Sequence, residues 1–577
     1  MNELFNLEQQ IQAATKKKKA GLVLKNGKYL NVFTKEFIKG DIAVEKGKIV
    51  GIGSYEGENE IDIEGKYIVP SFIDSHMHFE SSIVSPREYA KAVITHGTSA
   101  VIADPHEIGN VLGEIGIDYM LDTTANLPLD AYIMMSSCVP ATPFDESGAC
   151  IDSIMIKSYL ENERILGLAE MMNYPGVLNN DYQVLKKINV TKKKNKSIDG
   201  HAPRLTKEEL NAYIASGVSS DHECTSFQEA LEKLTLGQYI QLREGTACKN
   251  LENLIGLIKE PYTSRLMFST DDKHPSDLIK EGHIDHIIRK AIKFGADPIS
   301  CYIIASFNPA IHYNLKDTGA IAPGYKADFV VLDDYEKVII NSCYKNGFQI
   351  TSYDKILNEE ELFKPLDLST KQAKEYIKRI TNTMNYDDIS LDDIKISTPT
   401  KIIGLVPNEI LTTDEGINDT SNNIDVEHDI LKLCVIERHK NTGHIGKCYV
   451  KGYGLKEGAI ATSISHDSHN VIVCGTNDSD IVFAVNSLKR INGGMIIVKD
   501  NKIIESLSLP IAGLMSNENI NVVNEKINKL KEISLKQGCN NNIDPFMTLS
   551  FTSLAVIPTL RLTTMGIVDV EKFKLIK

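Results

Sequence analysis

His76 and His78, one residue apart in SFIDSHMHFESS, close an apolar run that begins at KYIVP. On an extended strand side chains alternate faces with period two, so both imidazoles project to one side. Unpaired imidazoles are costly to bury, so the pair either holds a metal or is an ordinary surface pair at a strand terminus. Further along, ADPHE ends in His106 and Glu107, LAEMMN carries Glu170, and DGHAP carries His201. SDHE supplies His222 and Glu223, LREG supplies Arg243 and Glu244, and STDD supplies Asp271 and Asp272. Neutral imidazoles and carboxylates form a ligand set for zinc, manganese or iron. On this reading His76, His78, His201, His222 and Asp271 are ligands, and Glu170, between the two groups, could bridge two ions. A two-metal site holds hydroxide at neutral pH, and an aspartate touching it can pass its proton to a leaving group.

Each tip ends an apolar, strand-like segment. Markers near the strand ends are His76, His106, Cys138, Glu170, His201, His222, Glu244 and Asp271, at intervals of 30, 32, 32, 31, 21, 22 and 27 residues. A strand, a helix and their loops need roughly 25 to 35 residues. The intervening SPREYAKAVITHG, TKEELNAYIASG and TSFQEALEKLTLG begin at Ser or Thr and end at Gly, as helices do. The expected fold is α/β, a (β/α)8 TIM-like barrel over residues 70–317 with its site at the C-terminal strand ends. Short runs with NG, KG and EG turns predict a small flanking β-sandwich domain from residues 1–69 and about 318–355. Residues 356–400, with KQAKEYIKRI, read as a helical linker. Residues 401–577 read as an additional C-terminal α+β domain with MIIVKDNKIIESL as a hairpin. There SISHDSHN holds His466 and His469, as a second metal site, a lid, or loop residues capping a strand. The expectation is that this loop closes the barrel mouth and contributes to substrate or metal binding.

A chain of 577 residues exceeds one ordinary core. Its 42% hydrophobic and 24% charged content is that of a soluble globular protein. A net charge of −14 argues against nucleic-acid binding, and Lys16 to Lys19 and Lys192 to Lys196 read as solvated surface. The 10 cysteines form no CxxC pair and fit reduced thiols in a cytoplasmic protein. No apolar signal region or membrane-length run is seen. The expected partner is a small molecule, with no nucleic acid and no membrane.

The HxH pair, two later histidines and a late aspartate resemble the amidohydrolase superfamily, whose barrel carries them on strands one, five, six and eight. Its cyclic-amide branch has a carboxylated lysine on strand four, where this chain has Glu170. The words FIDSHMHFESS, ADPHEIGNVLG, AEMMNYPGV, IDGHAP, SDHE, LREGTACKN and STDDKHPSDL occur in that order. With the C-terminal AIATSISHDSHN, LPIAGLMS and DPFMTLSF, they resemble the microbial adenine deaminases over nearly the whole chain. The resemblance implies hydrolysis of adenine to hypoxanthine and ammonia, a metal-bridged hydroxide adding at C6. It implies two divalent ions on His76, His78, Glu170, His201, His222 and Asp271, with Asp271 as proton shuttle. Manganese is expected first, then iron, with zinc less favoured because the nitrogen and oxygen set does not force it. A homo-oligomer, dimer or higher, is also expected. The alternative is another metal-dependent amidohydrolase acting on a different aminopurine or a cyclic amide.

STDD also resembles the TDD of adenosine deaminases, which assigns Asp272 to the purine; its plainer role is a helix N-cap. Those enzymes place a Glu soon after the strand-five His, but HAPRL has no acid. The ring's proton donor then comes from Glu80, Glu107, Glu223 or Glu244. Catalytic candidates are Asp271, Glu170, Glu80 and Glu244. Substrate-binding candidates are Asp272, Arg243, His106 and Glu107. His106 could instead hold an accessory metal or hydrogen-bond a carboxylate behind the ligands. Arg243 and Glu244 could orient each other or the purine, the plainer role being a surface salt bridge.

Overall fold

A computed structural model describes residues 2–576 except 247, 365–369, 408 and 419–423. Eight parallel strands form the central barrel. They are β1 (Phe72–Met77), β2 (Thr98–Ala103), β3 (Asp130–Met135), β4 (Ile165–Met171), β5 (Ser197–Gly200), β6 (Ser220–Asp221), β7 (Tyr239–Arg243) and β8 (Leu266–Ser269). β1 to β5 form one sheet and β6 to β8 another. The Ser219 N–H bonds Ile198 O at 2.9 Å across one seam, and a parallel bridge between Met77 and Asp271 crosses the other. Every residue of β1, β2 and β8 is buried, because helices cover the outside of a parallel barrel while side chains fill its inside.

The apolar run into HMH is two strands, not one. Tyr67–Pro70 pairs antiparallel with Phe329–Asp334, and β1 starts two residues later. Tyr67–Pro70 therefore belongs to a seven-stranded sheet that faces a four-stranded one. Leu24, Ile42, Tyr29, Ile68 and Phe329 from the two sheets share a core. Of the three predicted helix starts, only Ser226 makes a side-chain cap, to the Glu229 N–H. Ser85 and Thr206 stand at N-caps without one; Pro86 instead presets the first turn after Ser85.

The C-terminal region carries an eight-stranded sheet and a three-stranded one, with helices Asp478–Arg490 and Ile520–Lys536. The hairpin Gly494–Lys499 with Lys502–Ser508 is present, as is the helix Lys371–Thr381; residues 365–369 of the expected linker lie outside the described residues. Between strands Ala459–Thr462 and Val471–Gly475, a loop over residues 463–470 reaches the barrel. Among the described residues no helix is long and apolar enough to cross a membrane.

Candidate metal centre and adjoining cavity

The ends of β1, β4, β5, β6 and β8 converge on Glu170. Its Oε1 lies 3.8 Å from His76 Nε2 and 3.6 Å from His78 Nε2. Its Oε2 lies 2.8 Å from His201 Nδ1 and 3.3 Å from His222 Nε2. Asp271 Oδ1 completes the group, 3.5 Å from His76 Nε2 and 3.1 Å from His78 Nε2. The structure thus brings together all six residues expected to bind metal.

Local folding aims each donor. The Tyr213 hydroxyl donates to Met171 O at 2.8 Å and accepts the His201 N–H at 3.1 Å, tying the end of β4 to that of β5. A Cβ on Gly200 would sit 2.4 Å from Ser220 O, so only glycine allows β5 to approach β6 there. The Asn250 amide donates to His222 O at 3.1 Å and accepts the Arg243 N–H at 2.7 Å. Asp271 turns out of β8 at φ 54°, a strained conformation for a non-glycine residue. Its N–H bonds His76 O at 2.9 Å.

The residues fit a divalent cation. His78 Nδ1 donates to Asp104 O at 2.8 Å, which leaves the Nε2 lone pair facing the carboxylates. Among the described residues His76 Nε2 is buried without a hydrogen-bond partner, as a liganding nitrogen would be. Burial pushes the Asp271 carboxyl up, but Arg243, His76 and His78 outweigh it and hold it well below the usual range. Burial also opposes ionisation of Glu170, yet His201 and His222 hold it well below. Asp104, absent from the expected set, joins His78, His106 and Glu170 as a group whose donors could also hold an ion. Its signal was its place in ADPHE at the end of β2.

His106 puts Nδ1 2.9 Å from Asp104 Oδ2 and Nε2 3.4 Å from Glu107 Oε1, so both ring nitrogens face carboxylates. Arg243 is buried and does not pair with Glu244. Its Nη1 bridges Asp271 Oδ2 at 2.5 Å and Glu223 Oε1. Glu223 is driven down to about 2: burial opposes ionisation, but Arg243, His201 and His222 outweigh it. That makes it an anion and not a proton donor. Glu244 is engaged by Lys290 at 2.6 Å, and the structure does not bring it into the cluster.

A cavity between the barrel mouth and the C-terminal domain adjoins the cluster, with Glu80, Glu107, Asp272, His466 and Phe551 in its wall. Glu80 Oε1 accepts the Ile108 N–H at 3.0 Å, while its buried Oε2 has no partner among the described residues. Burial pushes this carboxyl up to about 7. Asp272 accepts from the Ser81 hydroxyl; His274, without a side-chain capping bond, occupies the N-cap position of the following helix Pro275–Lys280, so Asp272 is not its N-cap. His466 and His469 both reach Glu107.

Residues 67–362 match the amidohydrolase family and residues 409–574 the adenine deaminase C-terminal domain. A Clostridium acetobutylicum protein named adenine deaminase is 45% identical, covering 99% of this chain and 100% of its own length. One from Carboxydothermus hydrogenoformans, named adenine deaminase 2, is 44% identical over 98% of each chain. A third, an adenine deaminase of Oceanobacillus iheyensis, is 42% identical over 98% of this chain and 97% of its own. With this barrel, this donor cluster and this C-terminal domain, the chain belongs to the adenine deaminase family of amidohydrolases.

Proposed function

We propose that the protein hydrolyses adenine to hypoxanthine and ammonia in the cavity beside the donor cluster. His76, His78, Glu170, His201, His222 and Asp271 would hold two divalent cations. Bound there, the cations supply Lewis-acid chemistry that makes water a competent nucleophile at neutral pH. The nitrogen and oxygen donor set, with no thiolate, supports manganese ahead of iron and zinc.

The chain's own residues do the rest. Asp272 accepts a hydrogen bond from the purine edge and turns C6 toward the cluster. Glu107 is a second carboxylate contact for the base. As water adds to C6, Glu80 donates its proton to the adjacent ring nitrogen, and Asp271 takes one water proton and passes it to the departing amino group. The second water proton returns to Glu80 as ammonia leaves and the C6 carbonyl forms. Glu244 has no part in this scheme. Arg243 steadies Asp271, and His106 holds the carboxylates on either side of it. The observation that carries the reading is the free carboxyl oxygen of Glu80 sharing a cavity wall with Asp272 beside the six-donor cluster. All 10 cysteines are unpaired, which supports a reducing, cytoplasmic setting.

Manganese-loaded protein mixed with adenine tests this, following loss of adenine absorbance, release of ammonia and metal content. The expected result is stoichiometric ammonia with two metals per chain. No turnover of adenine, with turnover of adenosine or a hydantoin, overturns it.

A further inference from the structure

Glu107 stands in the first turn of the barrel helix His106–Leu112, yet its carboxylate is held from the other domain. His466 Nδ1 lies 2.9 Å from Oε1, and His469 Nε2 meets Oε2. The two residues of the second contact are 362 positions apart in the chain.

The hydrogen bonds of His469 fix its tautomer. The Ser465 backbone N–H, a donor only, points at His469 Nδ1 at 3.2 Å. Nδ1 therefore carries the lone pair, and a neutral ring bears its proton on Nε2. Burial lowers this imidazole to about 4, so it is neutral. Nε2–H then donates to the Glu107 carboxylate. The same tautomer leaves Nε2 no lone pair for a cation. Although Glu107, His466 and His469 cluster closely enough to hold an ion, the contact is a hydrogen bond and not a metal site.

The ring has little freedom. His469 sits at φ 53°, and its carbonyl accepts from Arg438 Nε. The buried Arg438 guanidinium also donates to Thr383 O at 3.1 Å and Ala512 O at 3.0 Å. Three segments of the C-terminal region thus lock the backbone that carries one imidazole. His466 lies flat on Phe551, 4.6 Å between ring centroids, and both line the cavity.

We propose that His469 is a positioning residue for the deamination: its Nε2–H holds the Glu107 carboxylate in one orientation in the cavity wall, so the C-terminal domain completes the barrel's substrate site. The proposal rests on reading Glu107 as a contact for the base.

The test is a double-mutant cycle on the manganese-loaded full chain. His469→Leu removes the donor, and His469→Gln keeps an N–H at similar reach; each is made alone and with Glu107→Gln. We expect His469→Leu to lower kcat/KM by about 10- to 100-fold, as removal of a partner that orients a working group does, with metal content retained. His469→Gln recovers most of that loss, and His469→Leu adds less than about twofold in the Glu107→Gln background, as coupled neighbours do. Full additivity, or equal losses in the Leu and Gln variants, overturns the proposal and leaves His469 a domain fastener. Wild-type kcat/KM in Glu107→Gln itself overturns the reading of Glu107 instead, and the proposal with it. If His469→Leu does not fold, His469→Asn, whose amide stops short of Glu107, replaces it with the same outcomes.

Discussion

Glu170 Oε2 stands 2.8 Å from His201 Nδ1, while the other oxygen of the same carboxylate faces His76 and His78. One side chain therefore links the β1 histidines to those following β5 and β6. A symmetric anion suits that position, and an amide does not, because its NH2 end would point at a nitrogen donor.

Glu170→Gln should accordingly lose at least one of the two metals and more than about 100-fold in activity, beyond the effect of disturbing an outer partner. Metal analysis of the purified variant beside its rate with adenine checks this. Two retained metals with near-normal turnover would show that Glu170 does not bridge.

Glu80→Gln keeps the shape and the Ile108 contact at Oε1 but removes the donatable proton. It should retain both metals and lose about 10²- to 10⁴-fold in kcat, the usual worth of a positioned acid. Steady-state kinetics with adenine decide the point. An unchanged kcat would pass the role to another group.

Much of this site was legible because parallel strands buried on both faces are written as apolar runs, so HMH, DPHE, GHAP and STDD stand out as polar tips. The break at Ser71 was not. KYIVPSFIDSH reads as one apolar stretch, and only pairing with Phe329–Asp334, about 260 residues later, reveals two strands. The partners of Arg243 were hidden for the same reason. Sequence adjacency suggested Glu244, but successive strand residues point to opposite faces, and space supplied Glu223 and Asp271. The link from His469 to Glu107 also depends on distant chain segments meeting, which local pattern does not encode.

Arg243 bears on stability as well as chemistry. Arg243→Leu would leave the buried Asp271 and the half-buried Glu223 without their cation. Breaking a buried pair from one side costs about 3–5 kcal/mol. The thermal midpoint of the metal-loaded variant should fall clearly below wild type, and Arg243→Lys, which keeps the charge, should fall less. A Leu variant melting with wild type would mean that the metal site alone holds these carboxylates.

Asp285 supplies a pH dependence away from the metal ligands. Its carboxylate lies 3.1 Å from His96 Nδ1 and 2.9 Å from Arg289 Nη2, and accepts the His283 N–H at 2.8 Å. Burial opposes ionisation, but His96, Arg289 and that N–H outweigh it and hold the group well below the usual carboxylate range. Because the folded value is depressed, the stabilisation is complete above the unfolded value, near pH 4, and is lost as pH falls toward the folded one. At pH 7, Asp285→Asn should be less stable by about 1.5–3 kcal/mol, the worth of hydrogen bonds to a charged group. Between about pH 4 and pH 2 the wild-type midpoint should fall faster than the variant's, since only wild type must take up this proton, and the two should converge. Thermal midpoints of both proteins from about pH 2 to 8 measure the gap. A gap that stays constant across that range would mean Asp285 acts through packing, with its charge contributing nothing.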